Sequence, residues 1–257
     1  SAASDVYKRQ VLFTMAAVIC VGGATLLFLR GRNNRSRRLL AGIMMAWGLI
    51  YVIRLAGMLL GYQELNFIRT DVADTLVLVS GNLYLIFLLL YPLEVVRPGW
   101  LDLKRTAILL LPYVSITLFY YIVLFLLDQK PLALDNMTQF WEHIGKFNVW
   151  YRLLMTLSIV AYLAFLFRLT WRYKSFYQQW CCNNYSDDEN LNISWLRQYG
   201  IGVVLIGAAY FWLLFDGSTY LLYHTQPHGT MFLLLYSVQR ALSRQPIHRE
   251  FFQPYVG

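Results

Sequence analysis

The stretch LLAGIMMAWGLIYVIRLAGMLLGY, residues 39–62, contains one charged side chain, Arg54. A helix of about 20 apolar residues crosses the hydrocarbon core of a bilayer. The stretch therefore predicts a transmembrane helix with an arginine inside it. Runs of the same kind recur along the chain. Seven segments qualify, at residues 11–29, 39–61, 72–95, 106–127, 150–171, 196–218 and 227–243. The seventh, within PHGTMFLLLYSVQRAL (227–242), is the shortest, and the count depends most on it.

The composition agrees. Of the 257 residues, 58% are hydrophobic and only 14% charged, whereas an ordinary soluble domain carries about 25% charge. The predicted fold class is all-α, an integral membrane bundle of seven transmembrane helices. The net charge of +8 would suggest nucleic acid in a soluble protein. Here the basic residues lie between apolar runs, so topology explains them better. The three cysteines, Cys20, Cys181 and Cys182, have neither the spacing of a zinc site nor that of a disulfide framework.

Orientation follows from the connections. The first, RGRNNRSRR (30–38), holds five arginines. Together with the third connection, the fifth with its flanks, and the tail, it brings the basic count on one side to 15; the alternate connections hold 3. Basic loops stay cytoplasmic, which predicts the N-terminus outside and the C-terminus inside, as a multi-pass protein of the bacterial inner (cytoplasmic) membrane. Trp100, Trp141, Trp150, Trp171 and Trp195 fall near predicted helix ends, as aromatic belts do. Pro112 is expected to kink the fourth helix. Gly200, Gly202 and Gly207 are expected to allow close helix contact in the sixth.

In this topology Arg54 lies roughly 12 Å below the outer end of its helix, at 1.5 Å per residue. An intramembrane charge faces the bundle interior and finds a partner. The alternating helices place Arg54, Asp74, Asn82, Asp216 and His228 in the outer half of one bundle. Two readings stay open. One is a structural ion pair of Arg54 with Asp74 or Asp216. The other is a polar ligand-binding pocket, in which a ligand carboxylate would engage Arg54 bidentately.

No catalytic or cofactor motif accompanies these residues. H-E-x-x-H, G-x-S-x-G and a phosphate-binding glycine loop are missing, and His143, His224, His228 and His248 lack metal-ligand spacing. The reading is of a non-enzyme with no cofactor and no metal site. QFWEHIGKF (139–147) has the pattern of a short interfacial helix. WCCNNYSDDENLNISW (180–195) is expected to be a solvated connector.

Domain organisation follows. The first ten residues, SAASDVYKRQ, resemble translated sequencing-adaptor read-through and are read as a non-native leader. Residues 11–243 form the seven-helix domain. Residues 244–257 begin a cytoplasmic linker to an output domain not included in the chain.

The stretches RNNRSRRLLAGIMMAWGLIYVIRL (32–55), LLLYPLEVVRPGWL (88–101), NISWLRQYG (192–200) with its preceding loop, and SVQRALSRQP (237–246) carry a family likeness. From Val11 to Gly257 the chain resembles the membrane-embedded N-terminal region of AraC-type transcription regulators of Bacteroidota. The resemblance implies a sensory module that transmits an unknown small-molecule or envelope signal to a cytoplasmic helix-turn-helix domain. Its partners would be the lipid bilayer, DNA only through that further domain, and a second copy in a homodimer. No DNA-binding residue carries over, because the matching domain is not in this chain. Two alternatives remain: the input module of a membrane histidine kinase or other seven-helix receptor, and a small transporter.

Overall fold

The computed structural model describes residues 2–30, 34–61, 71–184, 195–216, 233–234 and 236–241; a few side chains within these helices, Asp216 among them, lie outside the description. The described residues are mainly helical, joined by turns, with no strand among them. In chain order the helices are α1 (Ala2–Arg30), α2 (Arg35–Leu59), α3 (Thr75–Val96), α4 (Leu103–Leu126), α5 (Met137–Glu142), α6 (Phe147–Asn184) and α7 (Trp195–Asp216). A further helical stretch occupies the described part of 233–241.

Five of these helices are long and apolar enough to cross a membrane: α1 from Gln10, α2, α3 from Val77, α4, and α6 as far as Gln179. The sixth expected run coincides with α7, a helix that falls outside that set of five. The seventh is described only over 233–241. Residues 2–10, the expected leader, continue α1 as helix.

Short polar residues start the helices. Asn34, Asp102 and Asn136 each accept a backbone N–H three residues ahead, from Arg37, Arg105 and Gln139. Asp74 does the same for Val77 at 3.1 Å. Each satisfies one of the amides a helix leaves unpaired in its first turn. α2 ends before Gly61, whose φ of +73° is the left-handed stop that glycine adopts without strain.

α1 and α2 pack as an antiparallel pair. A Cβ on Gly48 would lie 2.8 Å from Val21 Cγ2, so glycine sets that approach. α3 is the central helix: 72% of its span is buried, against 11% for α4 and 22% for α6. It contacts α2, α6 and α7. α4 turns Ile108, Leu111, Leu118 and Phe125 outward. An apolar outer surface of this kind suits lipid, because only in hydrocarbon does it cost nothing to expose.

The two ends of the bundle differ. At the basic end, buried Glu94 accepts the N–H groups of Gly99 and Leu101 at 2.8 and 3.2 Å. Its carboxylate is 3.7 Å from Arg35 Nε. This folds the turn after α3 over itself, with Gly99 at φ +80°. Arg97 donates to the Tyr173 hydroxyl at 2.6 Å and stacks 4.6 Å from that ring. Arg37 Nε donates to the Ala241 carbonyl at 2.7 Å, tying the start of α2 to the last described helical turn. At the opposite end, Val72 N–H donates to Leu134 O and Ala73 N–H to Leu214 O, both at 2.7 Å. The short helix expected near QFWEHIGKF is present as α5; Phe140 is buried and Trp141 exposed.

Candidate functional site: a polar pocket beneath a buried arginine

Asn82 stands two turns into α3 and is 1% exposed. The Tyr210 hydroxyl of α7 lies 3.1 Å from Asn82 Oδ1 and 3.0 Å from the Leu78 carbonyl. Gly81 makes the approach feasible, since a Cβ there would lie 2.2 Å from Tyr210 Cε2. One end of the Asn82 amide thus meets α7. The other end makes no hydrogen bond among the described residues and is left for a pocket between α3, α4 and α6.

That pocket is small, with a cavity volume of about 50 Å³. Its polar lining is Asn82, Tyr113, Thr117, Ser158 and Tyr162; Pro112, Ile116, Met155 and Ile159 supply the apolar part. Tyr113 gives its proton to the Val79 carbonyl at 2.6 Å. Tyr162 donates to the Leu109 carbonyl, one residue along from the carbonyl that Pro112 leaves without a helical donor. Thr117 Oγ1 is fully buried without a hydrogen bond of normal geometry. The lining is uncharged. Such a site has room for a few waters or a very small neutral molecule, held through one or two hydrogen bonds and apolar contact.

One turn before Met155 on α6, toward the end opposite the arginine-rich loop, stands Arg152, which is not itself part of the pocket lining. It is 1% exposed. Its guanidinium reaches four oxygens: Tyr120 Oη at 3.2 Å, Ala73 O at 3.3 Å, Leu132 O at 2.7 Å and Asn148 Oδ1 at 2.9 Å. Asn148 Oδ1 also accepts from Tyr120 Oη and Leu132 N, and its amide donates to Lys130 O at 2.8 Å. All the acceptors around Arg152 are neutral. A desolvated cation is stable there because a planar fork of five donors meets acceptors from four segments. Asp74 adjoins Ala73, whose carbonyl accepts from Arg152, so its carboxylate belongs to this same end.

The sequence-predicted residues divide accordingly. Asn82 lines the pocket. Asp74 caps α3 near the Arg152 network. Arg54, on α2, places its guanidinium carbon 6.0 Å from the Phe13 ring of α1 and does not line the pocket. The side chain of Asp216, and all of His224 and His228, lie outside the described residues. The principal buried arginine of the described far end is Arg152, which was not among the expected site residues. Its one sequence signal is an arginine five residues into an apolar helix. Among the described residues no three His, Cys, Asp or Glu side chains gather as metal ligands.

No protein-family model, curated protein or solved structure matches the chain.

Proposed function

We propose that the chain is the sensory, non-enzymatic membrane part of a bacterial regulator, and that its pocket receives a small, neutral, membrane-soluble molecule. The carrying observation is the Tyr210–Asn82 junction. One amide is shared between the pocket and α7, so a ligand that engages Asn82 acts on the α3–α7 contact directly. A signal requires that the ligand favour one helix arrangement over another, and α7 leads onward. A Cβ on Gly202 would lie 2.7 Å from Leu233 Cδ1, the Tyr236 hydroxyl donates to Gln198, and Trp195 meets Tyr236 edge to face. The stretch 233–241 then ends at the Arg37–Ala241 contact.

The route runs from pocket to chain exit through packed side chains. That spatial continuity supports coupling, and double-mutant energies are its physical test. The seven-span topology, with the arginine-rich loop and the C-terminus in the cytoplasm, is part of the same proposal. So is the output, which the AraC-type resemblance assigns to a DNA-binding domain.

The test joins the chain after Gly257 to a DNA-binding reporter domain in cells. A panel of neutral apolar compounds is then applied. A compound that changes reporter output with the wild-type chain and not with Asn82→Leu supports the reading. Accumulation of the compound in vesicles, with no reporter response, would make the protein a transporter instead.

A further inference from the structure

A second groove lies at the basic end, between α3, α6 and α7. Leu89 and Pro92 form its floor, Phe167 and Trp171 one wall, and Leu196 and Tyr199 the other. It is a shallow surface groove with an internal volume of only about 20 Å³, and it is almost wholly apolar apart from Thr170 and Lys174. Gly200 keeps it open, since an added Cβ would press on Phe167 Cε2 at 3.2 Å.

Lys174 belongs to the groove's lining, and Arg197 follows Leu196 of its wall in sequence. Lys174 Nζ lies 4.5 Å over the Trp171 ring. Neither cation makes an ion pair among the described residues. Phe167 and Trp171 remain 39% and 48% exposed, so the wall presents apolar surface outward. A greasy slot with two positive charges near one end, neither ion-paired among the described residues, complements one class of molecule: an acyl chain attached to an anionic headgroup. Basic pockets between membrane helices take such headgroups, and a tryptophan at the rim suits the headgroup level.

We propose that this groove binds one anionic phospholipid, with its phosphate between Lys174 and Arg197 and an acyl chain along Phe167, Leu89 and Leu196. The site is independent of the neutral-ligand pocket, which lies farther along the same helices. A lipid here would brace α7 against α3 beside the route to residues 233–241.

The experiment uses the full chain, delipidated in detergent and then offered phosphatidylglycerol or phosphatidylcholine, with retention read by native mass spectrometry. One phosphatidylglycerol per chain is expected at concentrations where phosphatidylcholine is lost. At about 1 kcal/mol per basic residue near an anionic lipid, each of Lys174→Gln and Arg197→Gln should weaken retention about fivefold, and the pair about thirtyfold. Phosphatidylglycerol with brominated acyl chains should quench tryptophan emission, and Trp171→Phe should remove part of that quenching. Unchanged thermal unfolding of the variants shows that the bundle is intact. Equal retention of the two lipids, or unaltered retention in the double variant, would overturn the proposal in favour of ordinary annular lipid. Displacement by millimolar inorganic phosphate would overturn it in favour of a soluble-anion site.

Discussion

The Tyr199 hydroxyl of α7 donates to the Leu88 carbonyl of α3 at 2.7 Å. Pro92, four residues on, has no N–H to give that carbonyl. A helix break inside hydrocarbon is tolerated when a neighbour satisfies the freed group, and here the neighbour is α7.

Tyr199→Phe should therefore destabilise the bundle by about 1–2 kcal/mol. In a Pro92→Ala background α3 supplies its own donor, and the same substitution should then cost less than about 0.5 kcal/mol. Denaturant unfolding of the purified chain in detergent gives all four values. An equal cost in both backgrounds would show that the bond does not compensate the proline.

Much of this architecture was legible in the residues. Length and apolarity placed four of the five helices long and apolar enough to cross a membrane within a few residues, because a bilayer imposes both. α6 shows where that logic stops: the apolar run ends near 171, yet the helix continues to Asn184. Helix hydrogen bonds do not require hydrocarbon, so WRYKSFYQQW carries on as a polar helix. Asn82 stood out as an amide in an apolar run, and it does line the pocket. Arg152 did not stand out, because an arginine near the start of a span looks like a flanking charge. It is buried by residues 130–134 folding back over it, a tertiary event with no local signal. Tyr113, Tyr162 and Tyr210 were similarly hidden, since tyrosines are ordinary in membrane helices until their hydroxyls are seen on backbone carbonyls.

The contact of Gly81 with Tyr210 makes a second prediction. Gly81→Ala puts a methyl group 2.2 Å from a ring carbon, so either the ring or the helix must shift. Overpacking of this kind costs about 1–3 kcal/mol. Tyr210→Leu removes the obstructing ring edge, so the double variant should cost at least about 1 kcal/mol less than the two single costs combined. Strict additivity in the unfolding cycle would mean that α3 and α7 do not meet there.

Arg152 tests whether charge or shape matters at the far end. Lysine retains the charge, but its three donors sit on one nitrogen and cannot serve four acceptors from separate segments. Arg152→Lys should cost about 2–3 kcal/mol, because hydrogen bonds from a charged donor contribute about 1.5–3 kcal/mol each and more than one is lost. A lysine variant within about 0.5 kcal/mol of wild type, the range of ordinary surface changes, would show that a positive charge alone suffices.

The Arg37–Ala241 bond predicts where local opening begins. The helical stretch 233–241 is anchored inward by Leu233 and Leu234, both buried. Its last described carbonyl is held by a guanidinium from the opposite end of the sequence. Arg37 is only half-buried, so the bond is screened by solvent and should contribute about 1 kcal/mol, the lower part of the range for a charged donor. In Arg37→Ala, amide hydrogen exchange over 236–241 should accelerate about fivefold, which is that energy expressed as a local opening equilibrium. Amides of α3 and α6 should be unaffected, because their protection rests on the buried centre of the bundle. Faster exchange throughout would make Arg37 a general stabiliser. Faster exchange confined to 236–241 would identify the contact as a local hold on this stretch, separate from the stability of the bundle.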